Sequence, residues 1–242
     1  MGSCARCMTR VPYGTLIATI LCCAGVLAFL ISLYPAVRLT LRMFEDLFTY
    51  NLEWLNDIQL IFIITGAFMG LLAITLLVVG IFSTGATRTK IYRGWKSRVG
   101  GRISSAICMT ILYILNLIWL GIACCLVVVV FVFHVWKKLC EAQTECIDLK
   151  QFHFLFPNGT DVNALNICEK KKIFCTDTVQ YAGPYFVLAF ASSILVIISL
   201  LHYIMCLAAN YTRIKDHEKF KDLQELQYLQ DSEMGTLPKD RF

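Results

Sequence analysis

Four long apolar stretches that contain no charged residue constrain the fold of this chain more than any other feature. They cover residues 11–34, 58–83, 103–136 and 183–210, and all 39 Asp, Glu, Lys and Arg residues lie outside them. Each stretch exceeds the ~20 residues that a helix needs to cross a ~30 Å hydrocarbon core. The apolar fraction of 57% is more than a soluble domain can bury. The sequence therefore predicts an all-α membrane protein with a four-transmembrane-helix bundle, and it argues against a soluble globular enzyme.

Charges in the segments between the stretches predict the orientation of the bundle. The N-terminal arm (1–10) has two basic residues and no acidic one, and the 84–102 segment has six basic residues and no acidic one. Basic residues do not exceed acidic ones in segments 35–57 and 137–182. Because Lys and Arg concentrate on the cytosolic side, we expect the arm, the 84–102 loop and the 211–242 tail in the cytosol. Loops 35–57 and 137–182 are then extracellular, although Lys137 and Lys138 oppose the rule.

The 137–182 loop contains four of the twelve cysteines, Cys140, Cys146, Cys168 and Cys175. An even number of cysteines suits disulfide formation in an oxidising compartment. Three pairings are possible. Pairing neighbours would leave the two halves of the loop untied, whereas a nested arrangement closes loops of 35 and 22 residues and tethers the ends of spans three and four. The spacing favours the nested arrangement, and because the loop has no long apolar run, we expect it to depend on these bonds.

Two further features predict covalent modification. Asn158 begins an Asn-Gly-Thr sequon inside the same loop, which predicts an N-linked glycan on the extracellular side. Cys4 and Cys7 lie just before span one, beside the cytosolic face of the membrane, where S-palmitoylation is the favoured interpretation and unmodified thiols are the alternative.

The 84–102 loop is interpreted as a contact for anionic lipids of the inner leaflet, since each basic residue near that surface contributes ~1 kcal/mol of attraction. A solvated loop that only obeys the orientation rule is equally compatible. Its basic residues are Arg88, Lys90, Arg93, Lys96, Arg98 and Arg102.

Motifs within and beside the spans indicate packing rather than chemistry. Gly66 and Gly70 form a Gly-x-x-x-Gly pair in span two, which permits close helix approach either within one bundle or between copies. The spans contain no ionisable Asp, Glu, Lys or Arg of the kind that marks transport pathways. No catalytic or metal-binding motif is present, so we expect neither enzymatic activity nor a cofactor.

Two amphipathic segments lie outside the spans. Apolar residues at helical spacing in the 35–57 loop predict a helix lying along the outer membrane interface, namely Leu39, Met43, Leu47, Tyr50 and Trp54. Apolar residues at every third position predict a short helix in the tail, namely Phe220, Leu223, Leu226 and Leu229.

Several segments together resemble the myelin proteolipid protein family, particularly its neuronal membrane glycoprotein branch. The similarity keeps its order over most of residues 11–216. It is carried by residues 11–21 (VPYGTLIATIL), 80–86 (GIFSTGA), 119–121 (WLG) and 146–152 (CIDLKQF), and by the stretch from 202–203 (HY) to 215–216 (KD).

The resemblance implies two nested disulfides in the 137–182 loop and a palmitoylated N-terminal cluster, here reduced to Cys4 and Cys7. The short cytosolic loop and the long charged tail favour the non-myelin branch. Resemblance to that branch implies a role in organising membrane protrusions and cell contacts at the plasma membrane. The implied function is therefore a non-enzymatic organiser or adhesion component, and the alternative is a regulator or accessory subunit of a channel or transporter.

The implied partners are membrane lipids, including cholesterol-rich domains, and other membrane or junction proteins that meet the 137–182 loop. Self-association is left open, and a nucleic-acid partner is not expected.

Overall fold

Four long helices dominate the computed structural model, which describes residues 13–48, 57–82, 103–142, 146–155, 165–168 and 170–235. They are α1 (Tyr13–Phe48), α2 (Asp57–Phe82), α3 (Ser104–Glu141) and α4 (Gln180–Gly235). Each contains a segment that is long and apolar enough to cross a membrane. The predicted fold of four membrane-spanning helices is confirmed.

Helix α1 does not end with the apolar stretch at Tyr34. It continues through Pro35 and has 36 residues in all. At 1.5 Å per residue such a helix measures roughly 54 Å, well beyond the ~30 Å hydrocarbon core. Proline removes one backbone donor and favours a bend, but here the helix runs on past it. The described first part of the 35–57 segment, residues 35–48, is therefore a helical extension of span one.

The apolar face predicted for this segment is present in the described part, residues 35–48. Met43 is buried, Leu39 and Leu47 are partly buried, and Glu45 and Asp46 are exposed. The predicted helix is present over these residues, as a continuation of α1, and Met43 on its apolar face is buried. Tyr50 and Trp54 lie outside the described residues.

Helix α4 likewise extends past its predicted span, from Gln180 to Gly235 over 56 residues. The predicted tail helix is thus the last part of α4 rather than a separate element. Its four apolar residues at every third position, from Phe220 to Leu229, are all more than half exposed.

The chain divides into two compact units. The first, which we call the disulfide unit, comprises Thr19–Ile74 and Asn116–Ser199. The second comprises the described residues of Met1–Ala18, Thr75–Leu115 and Leu200–Phe242. Leu112, Tyr203 and Leu207 are almost fully buried in the second unit.

Close packing of α1 on α4 within the disulfide unit depends on small residues. A Cβ added at Gly25 would lie 2.9 Å from Val196 Cγ2 and 3.2 Å from the Val196 backbone nitrogen. Only glycine allows the backbones to approach this closely. Ala36, Ala189 and Ser193, from the same two helices, are fully buried.

The predicted packing pair in α2 behaves differently at its two positions. A Cβ added at Gly66 would lie 2.7 Å from Leu30 Cδ1, so Gly66 lies at a close contact with α1. A Cβ added at Gly70 would meet no described atom within 4 Å. Residues four apart lie on the same face of a helix, so the difference lies in the neighbouring element, which places Leu30 against Gly66 and no described atom against Gly70. Of the two predicted glycines, only Gly66 lies at a close contact with a described residue.

Candidate functional site: the disulfide loop

The disulfide loop, residues 137–182, is organised around a short antiparallel strand pair. Strand β1 (Ile147–Asp148) pairs with β2 (Asn166–Ile167), with Ile147 opposite Ile167. The Leu149 backbone N–H extends the pairing by donating to the Leu165 carbonyl at 3.0 Å. The strand ends are therefore held in register by backbone bonds as well as by the disulfides.

The inner disulfide joins Cys146 to Cys168. These residues flank β1 and β2 and form the next facing pair of the ladder. Their Cα atoms are 4.2 Å apart, close to the ~4.5 Å spacing of a facing pair that exchanges no backbone hydrogen bonds. The bond therefore locks the strand pair in register.

The outer disulfide joins Cys140 to Cys175, with Cα atoms 5.7 Å apart. Cys140 lies in the last turn of α3. Cys175 lies in the π-helical segment Ile173–Val179, which leads directly into α4. This bond tethers the end of α3 to the start of α4, and the predicted nested pairing is present in the structure.

An aromatic cluster joins the disulfide loop to the helices beneath it. The ring of Trp136 on α3 lies 6.1 Å from that of Phe152 and 5.4 Å from that of Phe174, both in the loop. Phe133, also on α3, lies 5.2 Å from Trp136 and 4.8 Å from Phe186 on α4. Trp136 is almost fully buried among these rings. Offset and edge-to-face contacts of this kind stabilise beyond the apolar area they bury.

Apolar residues of the strand pair complete a small core. Ile147, Leu149, Leu165 and Ile167 are all buried, and Leu149 and Leu165 have no exposed surface. Sequence analysis missed this core because no single segment of the loop has a long apolar run. The only signal was the presence of isolated apolar residues beside the cysteines.

Polar contacts fix the edges of the loop. The Lys170 ammonium donates to the backbone carbonyl of Asp46, which links the loop to the last turn of α1. Lys138, one of the two residues that oppose the positive-inside rule, forms a salt bridge with Glu141 at 2.8 Å. Both side chains of that pair are at least half exposed, so the salt bridge contributes little to stability.

Comparison with known proteins agrees with this arrangement of helices and disulfides. A family model described as myelin proteolipid protein (PLP or lipophilin) matches residues 1–219. The chain belongs to the myelin proteolipid protein family. The match ends within the exposed part of α4, so residues 220–242 lie outside it.

Named relatives in the proteolipid protein family cover nearly the whole chain. Neuronal membrane glycoprotein M6-b of Mus musculus is 27% identical over 258 residues, covering 97% of this chain and 76% of the relative. Neuronal membrane glycoprotein M6-a of Homo sapiens is 28% identical over 255 residues, covering 98% and 91%. Proteolipid protein DM beta of Squalus acanthias is also 28% identical, with the same coverage. No solved structure gives a significant match.

The remaining predicted sites of this proteolipid family member lie outside the described residues. They are Asn158, the cysteines Cys4 and Cys7, and the six basic residues of the 84–102 loop. Glycosylation, acylation and inner-leaflet lipid binding therefore stay predictions. The fold and the family establish a multi-pass membrane protein. Among the described residues, the disulfide loop combines two disulfides, a strand pair and an aromatic cluster, and it is therefore the candidate functional site.

Proposed function

We propose that this protein is a non-enzymatic organiser of plasma-membrane contacts or protrusions, with the disulfide loop outside the cell and both termini in the cytosol. The observation that carries the proposal is the rigid attachment of the disulfide loop to the ends of α3 and α4. The Cys140–Cys175 bond and the Trp136–Phe174 contact join the loop to these helices at adjacent positions, and the Trp136–Phe152 contact adds a second part of the loop. A loop held in this way presents a fixed surface close to the membrane.

The exposed surface around the strand pair is polar and suited to recognition. Asp148, Lys150, Gln151 and Lys172 are exposed, whereas the apolar residues of the strand pair are buried. A surface that stays rigid before it meets a partner loses little conformational entropy on binding. The names of the relatives, neuronal membrane glycoproteins, are compatible with a role at a cell surface.

Four buried serines in the described part of the disulfide unit use their hydroxyl groups within their own helices. Ser32 Oγ donates to the Ala28 carbonyl at 2.7 Å, and Ser199 Oγ donates to the Val196 carbonyl at 2.7 Å. Ser192 and Ser193 donate within α4 in the same manner. These hydroxyl protons are used inside their own helices, which favours a structural role over conduction.

Regulation of a channel or transporter is the second candidate, and the exposure of α2 and α3 favours it. Only 17% of the most apolar segment of each helix is buried, compared with 39% in α1 and α4. Apolar surface of this extent contacts either lipid tails or the spans of another membrane protein.

Two measurements on the full chain test the organiser proposal. Expression in adherent cells is expected to raise cell–cell aggregation or the density of protrusions at least twofold. Vesicles reconstituted with the purified protein are expected to pass ions no faster than protein-free vesicles. Lys150→Glu combined with Lys172→Glu, which reverses exposed charges on the loop, is expected to remove the cellular effect.

The matched control is Asp222→Lys combined with Glu225→Lys, which reverses two exposed charges on the tail part of α4. It is expected to leave the cellular effect unchanged. Ion flux above background without any effect on contacts would contradict the organiser proposal in favour of the second candidate. Equal loss in both variants would show that the loop surface is not responsible.

Glycosylation tests the proposed orientation. A second sequon, Asn-Tyr-Thr, begins at Asn210 at the opposite end of span four. We predict that Asn158 carries a glycan and that Asn210 does not. Glycosidase treatment is expected to increase the gel mobility of the wild type and to leave Asn158→Gln unchanged. A shift that persists in Asn158→Gln and disappears in Asn210→Gln would reverse the orientation.

Acylation of Cys4 and Cys7 would anchor the N-terminal arm to the inner leaflet, where the basic 84–102 loop would meet anionic lipids, including those of cholesterol-rich domains. We predict that a thiol-exchange assay for acyl thioesters labels the wild type and loses most of its signal in Cys4→Ser with Cys7→Ser. Undiminished labelling would place the acyl groups on other cysteines.

A further inference from the structure

An open groove lies between α1 and the start of α4, at the end of the helices that carries the disulfide loop. Its cavity volume is about 340 Å³. Helix α1 contributes two arginines, a tyrosine, a proline and a leucine to its lining, and α4 contributes two tyrosines. These residues are Arg38, Arg42, Tyr34, Pro35, Leu39, Tyr181 and Tyr185.

The groove lies at the level of lipid headgroups. The apolar stretch of span one ends at Tyr34, and that of span four begins at residue 183. The headgroup layer is about 5–8 Å thick on each side of the hydrocarbon core. At 1.5 Å per residue, Arg38 lies roughly 6 Å beyond Tyr34 and Arg42 roughly 12 Å beyond it. Arg38 thus lies at the level of the headgroup layer, whereas the backbone of Arg42 lies beyond that layer and its long side chain can reach back to the headgroups.

The two arginines are positioned to act together. They are four residues apart on α1, so both lie on the same face of the helix. Arg38 donates to the Tyr34 hydroxyl at 3.3 Å, and its guanidinium carbon lies 5.6 Å from the centre of that ring. Among the described residues neither arginine forms an ion pair, although Glu45 and Asp46 follow one turn further along α1. Both arginine side chains are exposed, so their guanidinium groups can reach an anion in the groove.

The tyrosines supply the other half of an amphipathic site. Tyr181 and Tyr185 are also four residues apart, and they are 59% and 39% exposed. Tyrosine at this depth places its ring against lipid chains and its hydroxyl among headgroups. Guanidinium groups bind phosphate through paired, charge-assisted hydrogen bonds.

We propose that this groove binds one phospholipid, with its phosphate held by Arg38 and Arg42 and its glycerol and upper acyl chains against the tyrosines. Under the orientation proposed above, the lipid belongs to the outer leaflet. The site is separate from the basic 84–102 loop, and it requires no partner protein. It would give the disulfide unit a fixed lipid at the junction of α1 and α4.

Native mass spectrometry of the purified full-length protein tests the proposal. The probe is palmitoyl-oleoyl phosphatidylcholine, and palmitoyl-oleoyl glycerol, which has the same chains without the phosphate, is the comparison. We expect saturable binding of one phosphatidylcholine per chain and at least tenfold weaker binding of the diacylglycerol. Excess inorganic phosphate is expected not to displace the lipid, because the tyrosine contacts require the acyl chains.

Substitutions test whether phosphatidylcholine binding depends on the charge of the two arginines or on the stability of the membrane domain in general. Arg38→Gln with Arg42→Gln is expected to weaken phosphatidylcholine binding at least tenfold, and Arg38→Lys with Arg42→Lys is expected to weaken it less. Lys150→Gln with Lys172→Gln removes two exposed charges from the disulfide loop and is expected to leave binding unchanged. Equal binding of the two lipids, displacement by inorganic phosphate, or unchanged binding in the glutamine variant would each overturn the proposal.

A test on the wild-type protein does not depend on the variants folding. Phosphatidylcholine with a photoreactive group near its phosphate is expected to cross-link to peptides that contain residues 34–42 and 181–185. Cross-links confined to other segments would reject the groove as the site.

Discussion

Replacing Cys140 by serine is expected to prevent the disulfide loop from folding and to stop delivery of the protein to the cell surface. In the chain-entropy model a closed loop of 35 or 22 residues corresponds to about 3–4 kcal/mol of stabilisation. With the inner bond intact, the outer bond closes only roughly 14 residues, which still corresponds to about 3 kcal/mol. The loop's core is small, so a loss of this size is expected to unfold it.

The pairing of the four cysteines predicts which variants should have the same effect. Cys175→Ser breaks the same bond as Cys140→Ser, so the two variants and their double mutant are expected to behave alike. Cys146→Ser and Cys168→Ser form a second matched pair that releases β1 from β2. Surface labelling measures delivery, and non-reducing peptide mapping measures which bond remains.

Cys124→Ser is the control, because Cys124 is a free, exposed cysteine on α3. It is expected to reach the surface normally. Normal surface delivery of all four loop variants, or recovery of a Cys140–Cys146 linkage from the wild type, would contradict this account.

The number of spans could be predicted from sequence because lipid imposes a strict requirement. A stretch that crosses the hydrocarbon core must be apolar and must satisfy its own backbone hydrogen bonds, so four apolar stretches specify four helices. The disulfide pairing could also be predicted from the sequence. Only nested or crossed bonds connect the two halves of the loop, and the family resemblance implied the nested set.

The ends of the helices could not be predicted from the same signal. Outside the membrane no comparable requirement acts on the chain, and α1 continues past Pro35 while α4 continues through the charged tail. Hydropathy marks where the membrane ends, not where the helix ends. The prediction from sequence therefore ended both helices too early, at the limits of their apolar stretches.

Helix contacts were hardest to predict because they depend on rotation about each helix axis. The Gly-x-x-x-Gly spacing identified Gly66, which does contact α1, together with Gly70, which does not within the described chain. A close contact of α1 with α4 is at Gly25, which has no glycine partner at that spacing. Likewise, Trp136, Phe152 and Phe174 are distant in sequence, and only the folded loop brings their rings together.

Replacing Trp136 by alanine is expected to destabilise the disulfide unit by about 3–5 kcal/mol, the usual cost of removing a large buried aromatic side chain. Its ring contacts Phe133, Phe152 and Phe174, so the cavity would lie where α3 meets the loop. For a chain of this size each kcal/mol corresponds to roughly 2–4 °C in the unfolding midpoint. The expected decrease is therefore at least about 6 °C, measured by thermal unfolding in detergent.

Two further substitutions determine whether this effect arises from packing of the cluster. The indole nitrogen of Trp136 is buried without a hydrogen-bond partner among the described residues, so Trp136→Phe loses no hydrogen bond and is expected to lower the midpoint much less than Trp136→Ala. Phe131→Ala removes an aromatic side chain from the same helix at a position that is 63% exposed, and it is expected to change the midpoint little.

Equal decreases for Phe131→Ala and Trp136→Ala would mean that the aromatic cluster does not stabilise the loop. A large decrease for Trp136→Ala alone, with both disulfides still recovered by peptide mapping, would show that the aromatic packing holds the loop on α3 independently of the disulfides.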